Sequence, residues 1–154
     1  SPIQLYDSKI LTFGTSIYTS RSRCIESNSF INNALSLLDV PYRWGGRSVF
    51  GIDCSAFVQL CAKTVGIRLP RDASQQVEMG EDVYFLTETQ PGDIAFFENE
   101  EHRIVHVGIL LDNERIIHAS GKVRIDAIDH TGIFNKELGR HTHLLSTIKR
   151  ITAL

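Results

Sequence analysis

The sequence has few cysteines, no long apolar run and little net charge, and each of these shortages excludes a class of protein. It has three cysteines in 154 residues, too few, and an odd number, for the disulfide framework of a small secreted domain. No apolar run approaches the roughly 20 residues that a membrane-spanning helix needs, so membrane insertion is not expected. The formal net charge of −2 predicts no electrostatic affinity for nucleic acid or for an anionic membrane surface.

What is present is the composition of an ordinary globular domain. Hydrophobic residues make up 42% of the chain and charged residues 22%, and the length suits one domain with a real core. No signal peptide is recognisable. Because the chain starts at Ser1 rather than at methionine, that absence says little about compartment. Nothing in the sequence predicts an oligomeric state.

The hydrophobic pattern predicts an α+β fold. Helical spacing from Phe30 to Leu38 predicts a first helix. Asp53 is a good N-cap for a second helix, and Gly66 suits its C-terminal end. Strand-like segments follow at 94–97, 105–111, 115–119, 123–125 and 144–151. The expected architecture has the helices first, with the helix after Asp53 packed on an antiparallel sheet.

Cys54 is the most informative residue, because a glycine-containing loop delivers it to the start of the second helix. Unpaired backbone amides and the helix dipole favour a negative charge at that position, so a lowered thiol pKa is expected there. The same amides can face a developing oxyanion. The alternative is a buried cysteine that merely follows an N-cap. Cys61, two helical turns further on, is interpreted as a small buried hydrophobe.

Two histidines on neighbouring strands favour the catalytic interpretation. A hairpin with a three-residue turn would pair Gly108 with His118. His106 and His118 would then lie on one face as diagonal neighbours, about 7–8 Å apart. His106 could act as base towards Cys54, with His118 bonded to its other nitrogen. A register shifted by one residue would move His118 to the opposite face.

The other histidines have no comparable setting and are expected at the surface. They are His102, His130, His141 and His143. A zinc site built on His102 and His106 is disfavoured. On a strand, residues four apart lie on the same face but far from each other, whereas a helix would bring them together. The sequence therefore predicts no metal and no cofactor.

Four residues near Cys54 are candidates for substrate binding. Asp53 and Ser55 flank the cysteine, and both are good helix-capping residues. The functional alternative is that one or both contact a polar substrate end, such as an ammonium group. Tyr42 and Trp44 could wall the site, although Trp44 is equally plausible as a core residue.

Six short segments, in order and at suitable spacing between roughly residues 28 and 151, resemble the NlpC/P60 family of bacterial cell-wall cysteine peptidases. The segments are Tyr42-Arg43-Trp44-Gly45-Gly46, Asp53-Cys54-Ser55, Leu69-Pro70-Arg71 with Gln75-Gln76, Pro91-Gly92-Asp93, His106-Val107-Gly108-Ile109 and His118-Ala119-Ser120. The resemblance implies a papain-like fold. It also implies a catalytic triad of Cys54 as nucleophile, His106 as general base and His118 as the orienting residue.

The resemblance further implies a substrate. Family members of this kind cleave the bond from γ-D-glutamate to a diamino acid, diaminopimelate or lysine, in peptidoglycan stem peptides or murein fragments. In members that require a free L-alanine amine, the residues matching Asp53 and Ser55 recognise that amine. The residue matching Tyr42 lies close to the active site. A cell-envelope or periplasmic location is then favoured over the cytoplasm.

Two departures from the family pattern affect these expectations. Ala56 replaces the glycine that commonly follows the Asp-Cys-Ser triplet, and its small methyl group is expected to have little effect. Residues 1–23 are too short for a complete upstream Src-homology-3-like domain and are expected to be its remnant or an extended arm, with residues 24–154 forming the catalytic domain. Two alternatives stay open: an amidase or acyltransferase on another acyl substrate, since a fold does not fix function, and a non-catalytic murein-binding module.

Overall fold

A computed structural model describes residues 29–151 of the chain. The arm or domain remnant predicted for residues 1–23 lies outside the described residues. The helices are α1, whose described part covers 29–36, α2 (Cys54–Thr64) and α3 (Ala73–Gln76). The strands are β1 (Arg47–Ser48), β2 (Gly51–Ile52), β3 (Glu81–Val83), β4 (Ile94–Glu98), β5 (Ile104–Leu110), β6 (Arg115–Ser120), β7 (Lys122–Ile128), β8 (Gly132–Asn135) and β9 (Arg140–Arg150). Among residues 29–151, no helix is both long and apolar enough to cross a membrane.

The large antiparallel sheet closes on itself through its longest strand. Its strand order is β3-β9-β4-β5-β6-β7-β8, and β9 also pairs with β8. The first part of β9 pairs with β8, with Leu144 opposite Gly132. The second part pairs with β4, with Lys149 opposite Ile94. The closed sheet therefore has an inner face, which lines its interior, and an outer face. The strand β9 closes it by pairing with β8 on one side and β4 on the other.

Alternating residues of the strands build two separate cores. On β4, Phe96 points outwards and Phe97 inwards, and both are fully buried. The outer core contains Phe57, Cys61, Phe96, Val107, Ile109 and Ile117, among others, and joins α1 and α2 to the sheet. The inner core contains Phe97, Leu110, Ile116, Ile133 and Ile148, among others. Cys61 is the buried hydrophobe that was expected, and burial raises its pKa to about 12.

The α+β prediction is confirmed, and the errors concern short or polar strands. The helix α2 begins after Asp53, whose side chain accepts a hydrogen bond from the Ala56 amide at 2.9 Å. It ends at Thr64, with Val65 as its C-cap just before Gly66, as predicted. The hydrophobic pattern does not predict β3, which is short and starts with two acidic residues, or β8, which has four residues. It also placed the start of β9 too late, since that end of the strand is polar.

Phe57 offers a test of the packing between α2 and the sheet. Its side chain is 0% exposed, whereas Phe50, on the β1–β2 turn, is 85% exposed. Phe57→Ala should lower the free energy of unfolding by about 3–5 kcal/mol through lost burial and a cavity. Phe50→Ala, the matched control, should change it by less than about 0.5 kcal/mol. Urea denaturation of both variants measures this, and equal effects would contradict the assigned packing.

Candidate active site

The loop before α2 is held by backbone contacts that present Cys54. The Asp53 amide donates to the Gly46 carbonyl at 3.1 Å, and the Gly46 amide donates to the Arg43 carbonyl at 2.8 Å. A Cβ at Gly46 would lie 2.3 Å from the Gly51 carbonyl oxygen, so only glycine allows this close approach. The loop is thereby fixed immediately before the first residue of α2, which is Cys54.

Cys54 lies against the strand that carries His106. The pairing of β5 with β6 ends at Gly108 and His118. Beyond that point the Val107 amide donates a hydrogen bond to the Cys54 sulphur. The thiol is thus adjacent to the residue that follows His106. Within residues 29–151 no hydrogen bond joins the Cys54 sulphur to the His106 ring. Hydrogen bonds between a nucleophile and its base are often long or poorly aligned until substrate binds.

The pKa of Cys54 is raised, in contrast to the lowered value expected from its position at a helix start. Burial is the main cause, and the neighbouring Asp53 carboxylate adds to it. Hydrogen bonds from backbone amides act in the opposite direction but are outweighed. The resting group is therefore a thiol, and forming the thiolate requires a base.

The two predicted histidines meet in the predicted register. Gly108 lies opposite His118 across β5 and β6. The Nε2 atom of His106 and the Nδ1 atom of His118 are 2.9 Å apart, and both side chains are buried. The geometry expected for this pair is confirmed, and the Nδ1 atom of His106 is left as its other nitrogen.

His106 is a neutral imidazole at neutral pH. Its pKa is lowered well below 6.5, first by burial and then by the positive charges that His118 and His143 would carry if protonated. A neutral imidazole has a lone pair with which to accept a proton. His106 therefore has the protonation state that a general base needs.

A buried carboxylate extends this pair, and the sequence analysis did not identify it. The His118 Nε2 atom lies 2.8 Å from Oδ2 of Asp126, on β7. Arg124 donates to both carboxylate oxygens, at 2.8 Å and 3.1 Å. Burial raises the pKa of Asp126, but hydrogen bonds from His118 and Arg124 outweigh it and the pKa lies below its ordinary value. The sequence signal was the alternation of Arg124 and Asp126 on one strand face, opposite His118.

The surface position predicted for His143 is wrong. This residue of β9 is half-buried, and its ring stacks on His106 with centroids 4.1 Å apart and planes at 25°. Burial, followed by His118, lowers the pKa of His143 to about 4, although Asp126 acts in the opposite direction. The prediction failed because closure of the sheet by β9 brings a sequence-distant strand to the site.

The remaining histidines stay away from this cluster. His102 and His130 are exposed, as predicted. His141 is half-buried rather than free at the surface, and its Nε2 atom lies 2.9 Å from the Asp129 carboxylate.

Asp53 and Ser55 share a partner that the sequence analysis did not assign to the site. The Arg71 guanidinium donates to both oxygens of Asp53, at 3.0 Å and 2.7 Å, and to the Ser55 hydroxyl at 2.9 Å. The Asp53 carboxylate also accepts from the amides of Ala56 and Gly45. Burial raises the pKa of Asp53, yet these hydrogen bonds, led by Arg71, leave it below the ordinary value.

Of the two candidate aromatic residues, one lies beside the cysteine and the other is on the surface. Tyr42 is half-buried, and its pKa is raised by burial and by the nearby charges of Cys54 and Asp53. Trp44 is 87% exposed, so its alternative assignment to the core is wrong. The exposed indole is available to contact a ligand.

Comparisons with known proteins concern the family and the fold of the chain. The model of the NlpC/P60 family matches residues 39–142. A Gamma-D-glutamyl-L-lysine dipeptidyl-peptidase of Bacillus subtilis strain 168 is 37% identical over 117 residues, 73% of this chain and 39% of that protein. The chain therefore spans about two fifths of the length of this relative.

Solved structures give the same fold. The crystal structure of an NlpC/P60 family protein from Bacillus cereus has a TM-score of 0.69 at 26% identity, over 82% of this chain and 40% of that one. RipD from Mycobacterium tuberculosis, a non-catalytic NlpC/p60 domain protein adapted to peptidoglycan binding, has a TM-score of 0.65 at 19% identity, over 82% of this chain and 97% of that one. The second likeness concerns the fold alone. The family match covers most of the chain, and we conclude that the chain belongs to the NlpC/P60 family and has its papain-like fold.

Proposed function

We propose that this chain is a cysteine peptidase that hydrolyses the bond between γ-D-glutamate and a diamino acid in peptidoglycan stem peptides. The observation that carries the proposal is the placement of the Cys54 thiol beside the strand of His106, whose ring is hydrogen-bonded to His118. The name of the Bacillus subtilis relative supports the choice of bond. Family membership supports the reaction class, since relatives such as this one are named as peptidases.

The mechanism follows from the raised pKa of Cys54 and the lowered pKa of His106. Because the Cys54 thiol is protonated at rest and His106 is neutral, the thiol proton passes to His106 as the sulphur attacks the γ-carbonyl carbon. A carbon–sulphur bond forms, and the oxyanion faces the amides at the start of α2 and the Tyr42 hydroxyl. His106 then returns the proton to the departing amine, and the C–N bond breaks.

Hydrolysis of the thioester completes the cycle. Water attacks the acyl carbon while His106 accepts one of its protons. The carbon–sulphur bond breaks, and His106 returns its proton to the departing sulphur, which restores the thiol of Cys54. The γ-carboxylate of the D-glutamyl product leaves with the N-terminal part of the peptide. Throughout, His118 holds the His106 ring through the 2.9 Å contact.

Polar groups at one end of the site favour a charged peptide end over a lipid. Asp53, Ser55 and Arg71 form a connected cluster immediately beside Cys54. A free L-alanine amine would contact Asp53 and Ser55. Burying an acyl lipid against this cluster would strand its charges, which disfavours an amidase or acyltransferase acting on lipids.

The proposed substrate implies the place of action. Peptidoglycan stem peptides and murein fragments are the proposed partners, and the cell envelope is the proposed location. The fold-level likeness to RipD raises the alternative of a non-catalytic binding module. The thiol and the buried histidine pair of this chain support catalysis instead.

The first prediction from this mechanism concerns the nucleophile. The full chain should release diaminopimelate from L-Ala-γ-D-Glu-diaminopimelate, and a parallel lysine peptide shows which diamino acid is preferred; mass spectrometry detects both products. Cys54→Ala should lower turnover by roughly 10³-fold or more, since the nucleophile acts as a unit with its base. Cys61→Ala, the matched control in the same helix, should retain activity. Turnover by Cys54→Ala would contradict the proposal.

The second prediction concerns the substrate amine. N-acetylation removes the positive charge that Asp53 would meet, so the acetylated peptide should be cleaved more slowly by the wild type. Asp53→Asn should reduce this preference, because the amide carries no charge. The measurement is the ratio of kcat/KM for free and acetylated peptides in each protein. An unchanged ratio would exclude Asp53 as the amine contact, whatever its effect on overall rate.

The third prediction concerns pH. A histidine with a lowered pKa stays neutral until the pH falls to that lower value, so the acid limb of kcat/KM should lie well below pH 6.5. His143, which faces His106, His118 and Asp126, should titrate with a midpoint near 4. NMR titration measures this, with the resonance assigned by its loss in His143→Phe. A midpoint near 6.5 would contradict the packing of this ring.

A further inference from the structure

The chain of hydrogen bonds behind His106 ends in a group that only accepts. The carboxylate of Asp126 is ionised, because Arg124 donates to both of its oxygens. An ionised carboxylate has no proton to donate. The hydrogen between Oδ2 of Asp126 and Nε2 of His118, which are 2.8 Å apart, must therefore belong to His118.

This assignment propagates to His106. A neutral imidazole has one protonated nitrogen and one acceptor, so a neutral His118 with a proton on Nε2 has a bare Nδ1. The contact of 2.9 Å between that Nδ1 and the Nε2 of His106 then requires His106 to donate. The proton of His106 is on Nε2, and its lone pair is on Nδ1, the nitrogen that makes no contact with His118.

We propose that Asp126, held by Arg124, is a positioning residue that fixes the tautomers of His118 and His106 and so leaves Nδ1 of His106 free to take the Cys54 proton. The proposal rests on the proposed function for its rate effects but not for its tautomers. Without the carboxylate, His118 could carry its proton on Nδ1 and donate to His106. His106 would then present an N–H, which cannot accept a proton.

Asp126 contributes a hydrogen-bond acceptor for His118 rather than a negative charge. Arg124 lies against the carboxylate and offsets its charge, and Glu137 in turn contacts Arg124 at 3.3 Å. The Asp126 side chain is 6% exposed, while that of Glu137 is 81% exposed. The network thus runs from the surface to a buried oxygen that faces His118.

The position on the sheet explains why this oxygen is well placed. Arg124 lies directly opposite His118 across β6 and β7, and Asp126 lies opposite Ile116. Both side chains are therefore on the face that carries the histidines. Two donors, His118 and the Nε of Arg124, meet at Oδ2, whereas one donor, Nη2 of Arg124, reaches Oδ1.

The first arm of the test needs no variant and no peptide. In the wild-type chain, ¹⁵N NMR of the ring nitrogens should show His106 protonated on Nε2 and bare on Nδ1, and His118 protonated on Nε2 and bare on Nδ1. A proton on Nδ1 of His106 in the neutral ring would overturn the proposal. This result is independent of which peptide the protein cleaves.

The second arm compares matched carboxylate variants. Asp126→Ala should lower kcat by roughly 10²-fold or more, the usual contribution of a general base, with KM within about twofold because Asp126 lies behind the histidines. Alkylation of Cys54 by iodoacetamide should slow in parallel. Asp129→Ala removes the carboxylate of another histidine pair, His141 and Asp129, and should change neither rate. Unchanged rates and tautomers in Asp126→Ala would overturn the proposal.

The third arm separates acceptor from charge and also serves if Asp126→Ala does not fold. In Asp126→Asn the carbonyl should occupy the Oδ2 position, where two donors meet, and the Nη2 of Arg124 can turn to Glu137. This variant should keep the wild-type tautomers and stay within about tenfold of the wild-type rate. Wild-type tautomers with a loss as large as that in Asp126→Ala would show that charge is what matters and would overturn the proposal.

Failure of the proposed function would look different. If the wild type cleaved no γ-D-glutamyl peptide while its tautomers and iodoacetamide reactivity behaved as above, the substrate assignment would be wrong and the role of Asp126 would stand.

Discussion

The pairing of Gly108 with His118 is the constraint on which the site depends. It places His118 on the same sheet face as His106, and a slip of one residue would turn His118 away. A Cβ at Gly108 would lie 2.9 Å from the Cβ of His118 and 2.7 Å from the Ile116 side chain. The missing side chain of Gly108 therefore leaves room for the side chains of Ile116 and His118 on the neighbouring strand. Both the register and the space come from this one residue pair.

The parts of the site that depend on local rules were predictable from the sequence. The capping side chain of Asp53 and the apolar stripe of α2 fix where Cys54 begins its helix. The alternation of β5 and β6, with a short turn between them, fixes which histidines face each other. These features depend on neighbours within a few residues or on one hairpin, and their physics is visible in the chain itself.

The parts that depend on closure of the sheet were not predictable. His143 reaches His106 only because β9 pairs with both β8 and β4, and each pairing contains an irregularity of register. Such bulges change the sheet face that a side chain occupies. No pattern of residues in the sequence predicts them. The direction of the shift in the Cys54 pKa was predicted wrongly for a related reason. A helix start favours the thiolate, but burial and Asp53, which are set by tertiary packing, outweigh it.

The dependence of His143 on β9 has a consequence for when the protein becomes reactive. Cys54 enters the growing chain before β9, the strand that closes the sheet and packs a ring on His106. Until that strand pairs, His106 lacks one wall and the inner core lacks Ile148. A polypeptide made only as far as β8 should therefore lack the complete site, and the site should form together with closure of the sheet.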